Sequence, residues 1–135
     1  MDHQMEVVYR GGLRTEALHL KSGVKIVTDA PVDNHGKGES FSPTDLACSA
    51  LCSCMMTIMG ILADREGINL EGLKGEVVKI MSSAPRKIAE IHIVLKHPKL
   101  EATDEQKEKL KRAGLTCPVA LSLGDHVIQK ITFDF

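Results

Sequence analysis

SPTDLACSALCSCMMTIMGIL, residues 42–62, reads as a capped helix with almost no polar face. Ser42 suits the cap, Pro43 the first helical position, and Asp45, three residues after the cap, completes a capping box. From Leu46 to Leu62 the apolar residues recur on nearly every side, the pattern of a helix buried all round. Its capped start and the charged end Asp64-Arg65-Glu66 leave an apolar run too short to span a bilayer, and Gly67 stops it. A single small sheet cannot surround such a helix. The simplest cover for the remainder is a second copy of the chain, so a homodimer is expected.

Upstream, Met5 to Asp29 reads as strands EVVYR, LRTEALHL and VKIVTD, separated by turns at Gly11-Gly12 and Ser22-Gly23. These predict an antiparallel meander. Ala30 to Phe41 is a polar, glycine-bearing loop. Downstream, strands are expected over Leu73 to Met81 and Ile88 to Lys96, joined around Ser83, Ala84 and Pro85. In the second of these, Ile91, Ile93 and Leu95 share one face. Thr103 with Gln106 forms another capping box, opening a charged helix to about Ala113 that Gly114 and Pro118 break. CPVALSLG restarts as a short apolar helix. The last strand sets Val127, Gln129, Ile131, Phe133 and Phe135 on one face. The order of elements predicts an α+β fold.

The 135 residues fit one domain, 1–135, and the 43% hydrophobic and 26% charged residues exclude disordered and fibrous classes. Trp is absent and aromatics are few, so Leu, Ile, Val, Met and Ala must build the core. The net charge is -1, and the basic stretch Lys107 to Arg112 is interleaved with Glu108 and preceded by Glu105. That distribution argues against nucleic-acid binding. The opening MDHQMEVVYR lacks the pattern of a secretory signal, which predicts a soluble cytoplasmic protein with no membrane partner. In a reducing compartment its four cysteines are expected to be reactive, metal-binding or buried rather than statically cross-linked.

Three of the cysteines lie in the buried helix. At roughly 100° per residue, Cys48 and Cys52 fall about 40° apart, while Cys54 is about 160° from Cys52 and about 120° from Cys48. A helix cannot direct all three sulfurs at one ion, so no metal site is expected. Cys48 and Cys52 read as small core hydrophobes. Cys54 shares a face with Ala47, Ala50, Ile58 and Ile61, and spacing alone does not single it out. Cys117 precedes Pro118 at a helix start, where the helix dipole and free N–H groups favour thiolate. The alternative is a cysteine at a chain break with no chemistry.

SPTDLACSALCSCM followed some sixty residues later by TCPVA resembles the osmotically induced and organic hydroperoxide resistance (OsmC/Ohr) family of thiol peroxidases. Ser42-Pro43 and Leu46 match the family's helix start, Cys54 falls at its peroxidatic position, and Cys117-Pro118 matches its resolving one. The resemblance implies antiparallel sheets wrapped around a central helix in an intertwined homodimer. It further implies an arginine beside the reactive sulfur, matched by Arg14 in GGLRTEA. Many members orient that arginine with a Glu two residues after the Ser or Asn, and Thr44 stands there in this chain. Asp45 and Glu39 are the carboxylates that could take its place, although capping already accounts for Asp45.

By resemblance, then, the chain is expected to be a peroxidase in which Arg14 favours the Cys54 thiolate, Cys54 becomes a sulfenic acid, and Cys117 closes a disulfide. A dithiol, either a lipoyl-bearing protein or a small thiol, would reopen it, with no metal or organic cofactor. A pocket lined by Met55, Met56 and Ile58 is expected to favour organic hydroperoxides. The alternative is a homodimeric redox-sensing or binding protein, weakly active or inactive because the glutamate is missing.

Overall fold

The alternating β-formers at the start of the chain become a three-stranded antiparallel meander of β1 (Met5–Gly11), β2 (Arg14–His19) and β3 (Lys25–Asp29). The turn between β1 and β2 runs at positive φ through Gly11, Gly12 and Leu13. Glycine tolerates this readily; Leu13 does so with its N–H held by Tyr9 Oη at 3.2 Å. The pairing places Met5, Val7, Tyr9, Ala17 and Ile26 on one face and Arg14, Glu16, Leu18 and Asp29 on the other. Met5, Val7, Tyr9 and Ile26 are all exposed.

The structure, a computed structural model, describes residues 1–135, which divide into two compact units, Met1–Ala47 and Cys48–Phe135. The first holds the meander, a 3-10 turn at Val32–Asn34 and the first residues of helix α1 (Pro43–Glu66). The second holds the rest of α1 and a three-stranded sheet of β4 (Lys74–Ser83), β5 (Arg86–Lys96) and β6 (Ile128–Asp134). It also contains α2 (Asp104–Leu115) and the short α3 (Pro118–Ser122).

Both capping boxes form. Ser42 Oγ accepts from the Asp45 N–H at 3.0 Å while Asp45 Oδ2 accepts from the Ser42 N–H at 2.9 Å. Thr103 and Gln106 do the same at the start of α2. Ile91, Ile93 and Leu95 point into the core of the second unit, as the alternation in β5 predicts.

Three details depart from the sequence reading. The second sheet is mixed, because β6 runs parallel to β5; α2 and α3 carry the chain back across the sheet before β6 begins. Gly114 does not break α2 but lies inside it, buried, where an added Cβ would press on the Met59 side chain. The helix therefore uses the missing side chain for close packing. Finally, α1 takes in its capped start and its charged end, reaching 24 residues, long and apolar enough to cross a membrane by length and composition. Its stripe Cys48, Leu51, Cys52, Met55, Met59 and Ala63 is nevertheless buried in the protein core. The side bearing Ala50 and Ile61 is exposed in the single chain.

Candidate active site

Helix α1 sorts its cysteines by face. Cys48 and Cys52 lie on the buried stripe and are 1% and 6% exposed. Cys52 fits against the backbone of β4, where a side chain at Gly75 would land on its sulfur, and burial pushes its thiol up in pKa. This is packing, as the sequence reading expects for both residues. Cys54 is partly exposed and packs at the edge of the core.

Cys117, far away in sequence, is the neighbour of Cys54 within the second unit. It is completely buried at the N-cap of α3, where its sulfur accepts the Ala120 N–H at 3.4 Å. The cap does not win, however. Burial raises the Cys117 thiol above its ordinary range and the adjacent Cys54 side chain adds to this, against the smaller opposing pull of the Ala120 and Val119 N–H groups. The expectation of a thiolate at this helix start is thus corrected: desolvation outweighs the N–H groups of a five-residue helix. All four cysteines are free thiols.

Arg14, in the first unit, is held firmly. Its Nε donates to Asp29 Oδ1 and its Nη2 to Asp29 Oδ2, each at 2.7 Å, and Nη2 reaches Glu39 Oε2 at 3.2 Å. Asp29 is completely buried. The bond from Arg14 holds its carboxyl below the usual carboxylate range in spite of desolvation, and the Glu39 N–H helps. Reciprocally, Asp29 and then Glu39 raise the guanidinium above its ordinary value. Of the two carboxylates that the sequence offers, Glu39 bonds to Arg14, while the Asp45 carboxylate closes the cap of α1.

Sequence reading misses Asp29. Its signal lies in the register of the β2–β3 hairpin: counting outward from Leu18 opposite Lys25 brings Arg14 opposite Asp29. Met55, expected at a pocket wall, is instead a core residue, with Met56 and Ile58 partly buried beside it.

Known proteins share this fold. The family model for OsmC-like proteins matches residues 36–132, and the chain belongs to that family, which includes the OsmC and organic hydroperoxide resistance proteins. Among curated proteins, none matches. A crystal structure from Psychrobacter arcticus 273-4, described as a candidate osmotic stress induced and detoxification response protein, is 44% identical with a TM-score of 0.93. The match covers 98% of this chain and 96% of that one. An organic hydroperoxide resistance protein OsmC from Legionella pneumophila matches at 16% identity and TM-score 0.70, covering 98% of each chain. A protein from Vibrio cholerae, described as a candidate organic hydroperoxide resistance protein with captopril bound in one of its active sites, matches at 12% identity and TM-score 0.71, covering 99% of this chain and 93% of that one. The last two likenesses are likenesses of fold alone.

Proposed function

We propose that this chain is a thiol peroxidase that reduces organic hydroperoxides, with Cys54 as the attacking sulfur and Cys117 as its partner. The observation that carries this reading is the adjacency of the two thiols, one partly exposed and one buried, on elements distant in sequence. The Cys54 thiolate attacks the distal oxygen of ROOH; a sulfur–oxygen bond forms, the O–O bond breaks, and RO⁻ leaves to be protonated as the alcohol. Cys117 then attacks the sulfenic sulfur, and the hydroxyl departs with the Cys117 proton as water. A dithiol, lipoyl-bearing or small, reduces the disulfide by exchange and is itself oxidised.

In this reading Arg14 is the arginine that the family resemblance implies for the reaction, and Asp29 and Glu39 fix its orientation, the task that Thr44 cannot perform. The working form is a cytoplasmic homodimer. Its support is the exposed apolar face of the first sheet, Met5, Val7, Tyr9 and Ile26, together with the uncovered side of α1 at Ile61.

Peroxide consumption tests the proposal. Reduced protein supplied with dihydrolipoamide is expected to turn over cumene hydroperoxide many times, and Cys54→Ser is expected to abolish turnover. No consumption beyond the uncatalysed rate would reject it. A single stoichiometric oxidation without turnover, with either dihydrolipoamide or a small dithiol, would favour the sensing alternative.

A further inference from the structure

His97, just past the end of β5, is a buried titratable side chain that the peroxidase reading leaves without a role. Backbone groups engage both of its ring nitrogens. Nε2 lies 2.9 Å from the carbonyl oxygen of Glu71, and Nδ1 lies 3.3 Å from the backbone nitrogen of Lys99. A carbonyl can only accept and a backbone N–H can only donate, so Nε2 carries the proton and Nδ1 is bare. The ring is fixed as one neutral tautomer by partners that cannot exchange roles.

Those partners lie on different connections of the second unit. Glu71 belongs to the turn between α1 and β4, where Asn69 Oδ1 accepts the Glu71 N–H and the Leu73 N–H donates to the Leu70 carbonyl, each at 3.0 Å. Lys99 belongs to the segment between β5 and α2, one residue beyond Pro98. His97 therefore ties the turn that follows α1 to the segment that leads into α2. Its own N–H donates to the Asp134 carbonyl at 3.2 Å, which anchors the tie to β6. Glu71, Lys99 and Glu101 line the hollow beside His97, and the Asp134 carboxylate lies near Lys96.

We propose that His97 is an acid-sensitive latch between these two connections. A second proton on the ring must go to Nδ1, where it meets the Lys99 N–H, and a donor facing a donor forms no bond. The buried imidazolium is then short of an acceptor, and the neighbouring hollow offers two, the carboxylates of Glu71 and Glu101. Turning the ring there removes the partner of the Lys99 N–H and of the Glu71 carbonyl together. Both connections loosen in one event, while the ladder between β5 and β6 is kept. The latch does not depend on the peroxidase reading, and its test uses no peroxide.

The experiment is nuclear magnetic resonance of the whole chain between about pH 8 and pH 5, the range in which imidazole changes charge. At the upper end the His97 ring nitrogens should report a proton on Nε2 and none on Nδ1. As the ring takes up its second proton, the Lys99 and Leu73 amides should lose about tenfold in exchange protection, corrected for the pH dependence of free peptide. The His97 amide, bonded to Asp134, should keep its protection. A proton on Nδ1 in the neutral ring, or a protonated ring with the Lys99 amide still protected, would overturn the proposal. His97→Gln keeps a donor for the Glu71 carbonyl but cannot titrate, so its Leu73 protection should be level across the range. An equal fall in that variant would assign the effect to Glu71 or Glu101 and would also overturn it. The wild-type readings decide even where His97→Gln does not fold.

Discussion

Arg14 and Asp29 stand opposite each other on β2 and β3, and two 2.7 Å bonds join the guanidinium to a carboxylate that has no solvent exposure. A surface pair of this kind would matter little to stability; one with its acid fully enclosed does, because removing a partner strands the other.

The sign of the acid dependence is set by that pair. The folded state holds the Asp29 carboxyl below its ordinary 3.8. Its contribution is therefore complete above about pH 4 and is lost as the pH falls through the lower, folded value. Asp29→Asn should unfold at lower denaturant than the wild type at pH 6, and the difference should shrink towards pH 2. A gap of constant size in urea titrations across this range would contradict the account.

Cys117 predicts the opposite limb. Its folded thiol titrates above the ordinary 9.0, so its contribution is present below about pH 9 and is lost as the pH rises through the folded value. Thermal melts under reducing conditions should show the wild type losing stability above pH 9 more steeply than Cys117→Ser. Parallel curves would be inconsistent with a buried neutral thiol.

Cys52 and Gly75 should be coupled. An alanine at 75 would place its methyl on the Cys52 sulfur, and overpacking of this sort costs about 1–3 kcal/mol. Cys52→Ala in the same chain should relieve part of that cost, giving a double-mutant coupling of about 1 kcal/mol in denaturant titrations. Additive effects would mean that Cys52 is not the residue that requires a glycine there.

Where the sequence is informative, the information is local. The capping boxes at Ser42 and Thr103, and the inward face of β5, depend on residues three or two apart, and each forms as expected. The features that escape depend on distant partners. The parallel placement of β6 comes from how α2 and α3 cross the sheet, and the role of Gly114 from Met59 on another helix. Asp29 becomes visible only once β2 is in register with β3. Sequence misjudges Cys117 because its N-cap position can be read from Pro118, whereas its burial cannot. Cys54 illustrates the same limit: its own helix makes it one apolar neighbour among several, and only the family resemblance picks it out without its contact with Cys117.

The exposed apolar face of the first sheet predicts association. Light scattering at micromolar concentration should give the mass of two chains, and Val7→Lys with Tyr9→Lys should shift the protein towards one. A wild-type protein that stays at the mass of a single chain would refute the dimer.

The most direct trial of the central claim is the mass and peptide map of reduced protein after one equivalent of an organic hydroperoxide. The account predicts the loss of two hydrogens and a single cross-link between the peptides carrying Cys54 and Cys117, with a dimedone-reactive sulfenic acid at Cys54 in Cys117→Ser. An unchanged mass, or a cross-link through Cys48 or Cys52 instead, would contradict it.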